Sequence, residues 1–113
     1  MNGAIIVDPA EPLAPAKDYV LVQSELYLTQ GADGYYFTDG AKANAITPSY
    51  VVFNGYANQY KDAPLMADPG QLIRLWIVNA GPTTFSAFHV IGALFKNTYA
   101  DGNPANKQFG NQT

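Results

Sequence analysis

Two apolar runs separated by turn residues dominate the hydrophobic pattern of the chain. Residues 72–78 are apolar except for Arg74, which predicts a strand covered on both faces. Residues 85–91 form the second run and carry the single histidine, His89. The turn clusters DPG and NAGP precede the two runs, and Pro and Gly favour turns whereas β-branched and aromatic residues favour strands. The pattern therefore predicts two adjacent strands of a β-sandwich.

Shorter apolar runs predict four more strands, at residues 3–7, 19–29, 50–54 and 94–100. In the run at 19–29 the polar character alternates, so that Gln23, Glu25 and Tyr27 share one side. The tail from residue 101 is rich in Asn, Gly and Gln, and no strand is expected there. The pattern thus gives six strands, whereas a complete antiparallel sandwich usually has seven or more. The shortfall lies on the C-terminal side.

The polar segments between these strands predict a hairpin, a short helix and a connector. Residues 30–40 contain an Asp33-Gly34 pair, which favours a hairpin turn. Asp39 is placed to cap a helix over residues 41–46, because its carboxylate can accept hydrogen bonds from the first free backbone N–H groups. Residues 10–16 contain two prolines and no periodicity, which indicates an extended connector.

Composition narrows the class of protein. With 48% hydrophobic and 13% charged residues, the 113-residue chain can bury the core of one domain. A net charge of −3 with scattered lysines argues against nucleic-acid binding, which needs a clustered basic face. The absence of Cys excludes disulfides and thiolate-metal sites formed by this chain. No apolar run approaches the roughly 20 residues of a membrane helix, and residues 1–7 lack the pattern of a signal peptide.

Four segments, in order, resemble copper-containing nitrite reductases and the related two-domain multicopper oxidases: MNGAIIVDP, YVVFNG, DPGQLIRLWIVNAGP and FSAFHVIG. The resemblance covers nearly the whole chain. It implies an all-β, cupredoxin-like Greek-key sandwich, incomplete at the C-terminal end. Residues 1–9 would be the last strand of a preceding cupredoxin domain, residues 10–17 a linker, and residues 18–113 a truncated second domain.

The resemblance also implies a function and two site residues. The parent protein would be a copper-dependent oxidoreductase that passes electrons from a type 1 copper to a catalytic copper centre. Nitrite reduction is the first expectation, and oxidation of a phenolic or metal substrate by oxygen is the second. Met1 stands at the position of the axial methionine of the type 1 site. His89 stands where the family places a proton donor beside the catalytic copper, a role that suits imidazole because it titrates near neutral pH. The other ligands, a Cys and further His, are not in this chain. We therefore expect copper in the parent protein, none bound to this chain alone, and no activity from the chain by itself.

Other interpretations stay open at this point. The chain as it stands also fits a non-catalytic, metal-free β-sandwich module for binding or scaffolding. His89 alone is compatible with a structural histidine, Met1 with an initiator methionine, and Arg74 with an ion pair or a stacking contact. The resemblance further implies a homo-oligomer (a trimer in the family), a small-molecule substrate, a redox donor protein, and a periplasmic or secreted location. No nucleic-acid or membrane partner is expected.

Overall fold

The computed structural model of the protein describes residues 2–113, and most of its regular structure is β-strand. The seven strands in this range are β1 Lys17–Leu26, β2 Leu28–Gln30, β3 Tyr36–Thr38, β4 Tyr50–Phe53, β5 Ile73–Asn79, β6 Phe95–Tyr99 and β7 Lys107–Asn111. The helices are short: α1 Gly40–Asn44, α2 Gln59–Asp62 and a 3₁₀ turn at Ala100–Gly102. None of these short helices has the length or apolar character that crossing a membrane requires. The all-β prediction is confirmed.

The described chain divides into two compact units. The first contains residues 2–6 and Ala14–Ser86, and the second contains Val7–Leu13 and Ala87–Thr113. In the first unit, β1 is the central strand of a three-stranded sheet, antiparallel to β4 and parallel to β5, while β2 and β3 form a separate hairpin. The second unit contains the antiparallel pair of β6 and β7.

The core of the first unit lies on the central strand and its antiparallel neighbour. Leu21 and Val22 of β1 are 4% and 7% exposed, and Val52 of β4 is 2% exposed. Strand β5 is only half-buried from Ile73 to Val78, so the prediction that it is covered on both faces is wrong. The reason is that, among the described residues, only β1 makes extensive contact with β5, so no second layer covers the faces of the strand.

The two central apolar runs are not adjacent strands. The neighbour of β5 is β1, with Leu21 opposite Ile77 in parallel register. Residues 85–91 are extended but join none of the sheets formed by the described residues, so the predicted strand there is wrong. The turn at residues 79–84 is instead held by side-chain hydrogen bonds to β1.

Local turn chemistry was predicted correctly. Strands β2 and β3 form the hairpin expected around Asp33-Gly34, with Gly34 at a φ of 83°. Asp39 caps α1, its carboxylate accepting from the Lys42 backbone N–H at 3.0 Å. The helix is shorter than predicted because Ile46 turns into the left-handed region at a φ of 54°, and the Thr47 N–H then donates to the Lys42 carbonyl at 3.0 Å.

Three strand predictions need correction. Residues 3–7 are not a strand, and Ile5 and Val7 are 94% and 83% exposed, because no neighbouring strand among the described residues pairs with them. The predicted strand 19–29 is interrupted at Tyr27, which separates β1 from β2. Strand β7 lies in the tail where none was expected, since its polar sequence KQFGN is organised by pairing with β6.

Arg74 makes the ion pair weighed from the sequence, and it also lies beside an aromatic ring of its own strand. Its guanidinium lies 3.2 Å from the Asp18 carboxylate, which faces it across the β1–β5 pair. It also lies 5.8 Å from the centre of the Trp76 ring, whose N–H donates to Asp18 at 2.7 Å. Because these groups are partly exposed, each contact contributes little stability alone. Their role is to tie β5 to the start of β1.

Candidate functional site

His89 lies on an extended segment whose exposure alternates along the chain. Phe85, Ala87, His89 and Ile91 are exposed, whereas the residues between them are half-buried. This is the alternation of an extended strand, and it is present although the segment has no ladder partner among the described residues. Phe85 and Ile91 are each 92% exposed. The histidine is thus accessible and flanked along the chain by uncovered apolar side chains.

The imidazole of His89 is oriented by the residue after β7. Its Nδ1 lies 2.7 Å from the backbone carbonyl oxygen of Gln112. A carbonyl can only accept, so Nδ1–H is the donor and the proton-exchanging nitrogen is Nε2. Strand β7, which the sequence pattern did not predict, therefore determines the tautomer of the predicted site residue.

A ring contact holds the same part of the chain against β6. The rings of Phe88 and Phe95 stack with their centres 6.4 Å apart and their planes 23° from parallel. Aromatic pairs at such distances add stability beyond the area that they bury. Phe88 directly precedes His89, so its half-buried ring and the exposed imidazole lie on opposite sides of the backbone.

The most densely hydrogen-bonded side chain in the first unit is Glu25 of β1, which is 7% exposed. One carboxylate oxygen accepts from the Thr83 N–H at 3.0 Å, the Thr83 hydroxyl at 2.7 Å and the Tyr27 hydroxyl at 3.2 Å. The other accepts from the Thr84 N–H at 3.1 Å and from the Thr84 hydroxyl. Both oxygens are therefore saturated with donors from the turn that follows β5.

These donors determine the charge state of Glu25. Burial acts to raise its pKa, but the hydroxyls and backbone amides of Thr84 and Thr83 outweigh burial and lower the pKa from 4.5 to about 2. The group is ionised at neutral pH and is a poor proton acceptor there, since an effective general base has a pKa near the working pH. Glu25 is an anchor rather than an acid–base group.

Two further contacts complete the anchored turn. The Ser86 hydroxyl donates to the side-chain oxygen of Gln23 at 2.7 Å, and Gln23 is 7% exposed. At Gly81, a Cβ atom would collide with the Glu25 carboxylate, so this position requires glycine. The buried polar row on β1 is thus matched by a turn whose sequence, NAGPTTFS, supplies small and hydroxylated residues.

The predicted site residues have different outcomes. His89 is found with its Nδ1 on Gln112, while Met1 lies outside the described residues. Glu25 was seen only as part of an alternating strand and was not predicted as a site residue. The available signal was an acid two residues after Gln23 in the middle of a strand, together with the Gly-Pro-Thr-Thr turn. Nothing in the pattern said that these two features would meet.

The described residues do not fit a copper site of their own. Among residues 2–113, no three His, Cys, Asp or Glu side chains come together as a metal ion would require. A copper site needs imidazole or thiolate ligands in a fixed geometry, and this chain has one histidine and no cysteine.

Known proteins resemble this chain over most of its length. It is 40% identical over 106 residues to a copper-containing nitrite reductase of Neisseria gonorrhoeae, a match that covers 90% of this chain and 27% of that protein. A copper-containing nitrite reductase of Neisseria meningitidis matches at 40% identity, with 28% of its length covered. The chain therefore spans about a quarter of the length of the curated relatives it matches. No family model matches the chain.

Solved structures give the same result for the fold. A copper-containing nitrite reductase from Thermus scotoductus superposes with a TM-score of 0.75 at 32% identity, covering 88% of this chain and 21% of that one. The nitrite reductase of Nitrosomonas europaea gives a TM-score of 0.68 at 33% identity, with 88% and 35% covered. These matches confirm the all-β, cupredoxin-like fold. In sequence and in fold, the chain is similar to a segment of copper-containing nitrite reductases.

Proposed function

We propose that this chain forms part of a copper-dependent nitrite reductase in which His89 supplies a proton to the substrate. The observation that carries the proposal is the hydrogen bond from His89 Nδ1–H to the Gln112 carbonyl, 2.7 Å long, on an exposed imidazole. Its support is the 40% identity to proteins described as copper-containing nitrite reductases. Reduction of nitrite to nitric oxide consumes protons, so a positioned imidazole has a defined task.

The chemistry assigned to His89 depends on its two ring nitrogens. With Nδ1–H held by a carbonyl, protonation and deprotonation take place at Nε2. Donation from Nε2 to a substrate oxygen leaves the neutral ring with its Nδ1–H bond intact, so the imidazole keeps its orientation through the cycle. A positioned general acid of this kind typically contributes a factor of about 10²–10⁴ in rate.

Copper itself would be held by residues other than those described in this chain. When bound, the metal would supply the electron for nitrite reduction. We propose that Met1 would be a thioether ligand of a type 1 copper in the full protein, one weak ligand among several. Electron delivery from a donor protein and a periplasmic or secreted location are further parts of the same proposal, and they rest on the resemblance alone.

We further propose that the protein is a homo-oligomer whose second copy covers apolar side chains that are exposed here. Four of these are more than 80% exposed: Ile5, Val7, Phe85 and Ile91. Large apolar side chains that are this exposed often mark a surface that a partner covers. Strands β4 and β5 are the sheet edges of the first unit, and open edges favour pairing between chains.

A chimera tests the proposed function. In the Neisseria gonorrhoeae relative, the aligned segment is replaced by this chain, the protein is loaded with copper, and nitrite-dependent formation of nitric oxide is measured. We expect turnover in the chimera and a loss of about 10²–10⁴-fold on His89→Ala, with the type 1 absorption unchanged. A folded, copper-loaded chimera whose turnover is indifferent to His89→Ala would contradict the proposal.

A second variant separates proton donation from orientation. In His89→Asn, the amide nitrogen stands near the position of Nδ1 and can still donate to the Gln112 carbonyl, but it cannot transfer a proton. We expect this variant to be as slow as His89→Ala. Full turnover in His89→Asn would mean that the residue acts through the Gln112 hydrogen bond alone.

A further inference from the structure

The turn between β5 and the His89 segment is fixed by side chains where a strand ladder would be expected. Residues 85–91 belong to no sheet formed by residues 2–113, yet residues 83, 84 and 86 are each hydrogen-bonded to Gln23 or Glu25 of β1. Ser86 is the last residue of the first unit, and His89 follows it by three residues along an extended chain. The anchored turn is therefore the point from which the chain continues to His89.

We propose that Glu25 is a positioning residue for His89, acting by clamping the backbone of Thr83 and Thr84. The inference rests on the proposed function, since it assigns to Glu25 a role in the reaction that His89 would perform. Glu25 touches neither substrate nor His89 in this role. It contributes by restricting the start of the His89 segment, because a small displacement of a catalytic group can cost up to about 10²-fold in rate.

The geometry of the clamp requires a carboxylate. Each oxygen of Glu25 accepts from one backbone N–H, that of Thr83 on one side and that of Thr84 on the other. A glutamine at this position must point its NH₂ group at one of these two N–H groups, whichever way the amide is turned. Two N–H donors would then face each other in a partly buried site, which is costly because a backbone N–H group cannot become an acceptor.

A double-mutant cycle in the copper-loaded chimera tests the proposal. We expect Glu25→Gln to lower turnover by at least roughly tenfold when His89 is present, and by less than about twofold in the His89→Ala background. Equal losses in the two backgrounds would overturn the positioning role, since a merely structural defect acts regardless of His89. Glu11→Gln is the matched control, because Glu11 is the only other glutamate and is exposed.

The outcomes distinguish this inference from the proposed function. No effect of His89→Ala alone overturns the proposed function and the inference with it, whereas a large effect of His89→Ala with additive Glu25→Gln overturns only the inference. If Glu25→Gln fails to fold, the pair Thr84→Val and Thr84→Ser takes its place in the cycle. Thr84→Ser keeps the hydroxyl donor, so its turnover should stay within about twofold of the parent. Thr84→Val lacks the donor and should lower turnover only when His89 is present.

A readout independent of activity uses the 113-residue chain itself. In NMR spectra we expect Glu25→Gln to accelerate amide exchange at Thr83 and Thr84 and to shift the ring nitrogens of His89, with Glu11→Gln changing neither. Faster exchange at the two threonines with unchanged His89 resonances would contradict the coupling, because the anchor would have been lost without any consequence for the imidazole.

Discussion

The central strand β1 and the segment at residues 85–91 have the same alternation but opposite burial. The polar row formed by Gln23 and Glu25 of β1 and by Tyr27, just beyond the end of β1, is 7%, 7% and 6% exposed. On the other segment the apolar Phe85 and Ile91 are each 92% exposed. From polarity alone, the polar row would be expected to face solvent and the apolar row to be buried.

The difference shows that hydrogen-bond partners, as much as hydrophobicity, decide which side of an extended segment is buried. The polar row is buried because the turn after β5 supplies donors for every acceptor of Glu25, and a satisfied buried group carries little net penalty. The apolar row at 85–91 has no neighbouring strand to cover it among the described residues. Four predictions test this contrast.

The largest loss of stability is expected from removing the buried carboxylate of Glu25. Glu25→Leu leaves the N–H groups of Thr83 and Thr84 without a partner, so we expect a loss of about 3 kcal/mol in the free energy of unfolding. Urea denaturation of the 113-residue chain measures it. The same change at the exposed Glu11 should stay within about 0.5 kcal/mol. A loss at Glu25 below about 1 kcal/mol would mean that water replaces the carboxylate at little cost.

Protonation should weaken the same anchor more gently than deletion. The pKa of Glu25 is lowered from 4.5 to about 2, so between these values the unfolded chain binds more protons than the folded chain. The contribution of Glu25 to stability is therefore fully present above pH 4.5 and is lost as the pH falls to about 2. Urea midpoints measured from pH 6 to pH 2 should fall more steeply in the wild type than in Glu25→Gln. Parallel curves would contradict the assigned pKa.

Local features of the fold could be predicted from the sequence, whereas the anchored turn could not. The Asp39 cap and the Asp33-Gly34 hairpin depend on residues close together in the chain, and both predictions are correct. The pairing of β1 with β5 and the contacts of Glu25 with the turn join residues more than 50 positions apart. Hydrophobic patterning carries no information about such distant partners.

The candidate site likewise depends on contacts between residues far apart in the chain. His89 was identified by a family resemblance, which residue patterns alone do not provide. The residue that orients it, Gln112, follows β7, a strand formed from polar residues through its pairing with β6. The residues of β7 have a low intrinsic preference for strands, but pairing with β6 outweighs that preference.

A moderate effect is expected within the core of the same sheet. Val52 is 2% exposed and its neighbour Val51 is 53% exposed, so the two valines of β4 form a matched pair. We expect Val52→Ala to cost roughly 2 kcal/mol of unfolding free energy through lost burial and a cavity, and Val51→Ala to cost less than about 0.5 kcal/mol. Similar losses at both positions would show that the outer side of β4 is covered in solution.

The smallest effect on stability is expected at the exposed apolar row. Ile91 is 92% exposed, so Ile91→Ser removes almost no burial and should change the free energy of unfolding by less than about 0.5 kcal/mol. The half-buried neighbour gives the control, since Val90→Ser should destabilise the chain measurably. If a second copy covers the exposed row, Ile91→Ser should lower the association of the chain seen by light scattering at micromolar concentration while leaving its stability unchanged. A loss above 1 kcal/mol at Ile91, on the order of a buried position, would show that this side chain is already covered within the folded chain, and the contrast with β1 would not hold there.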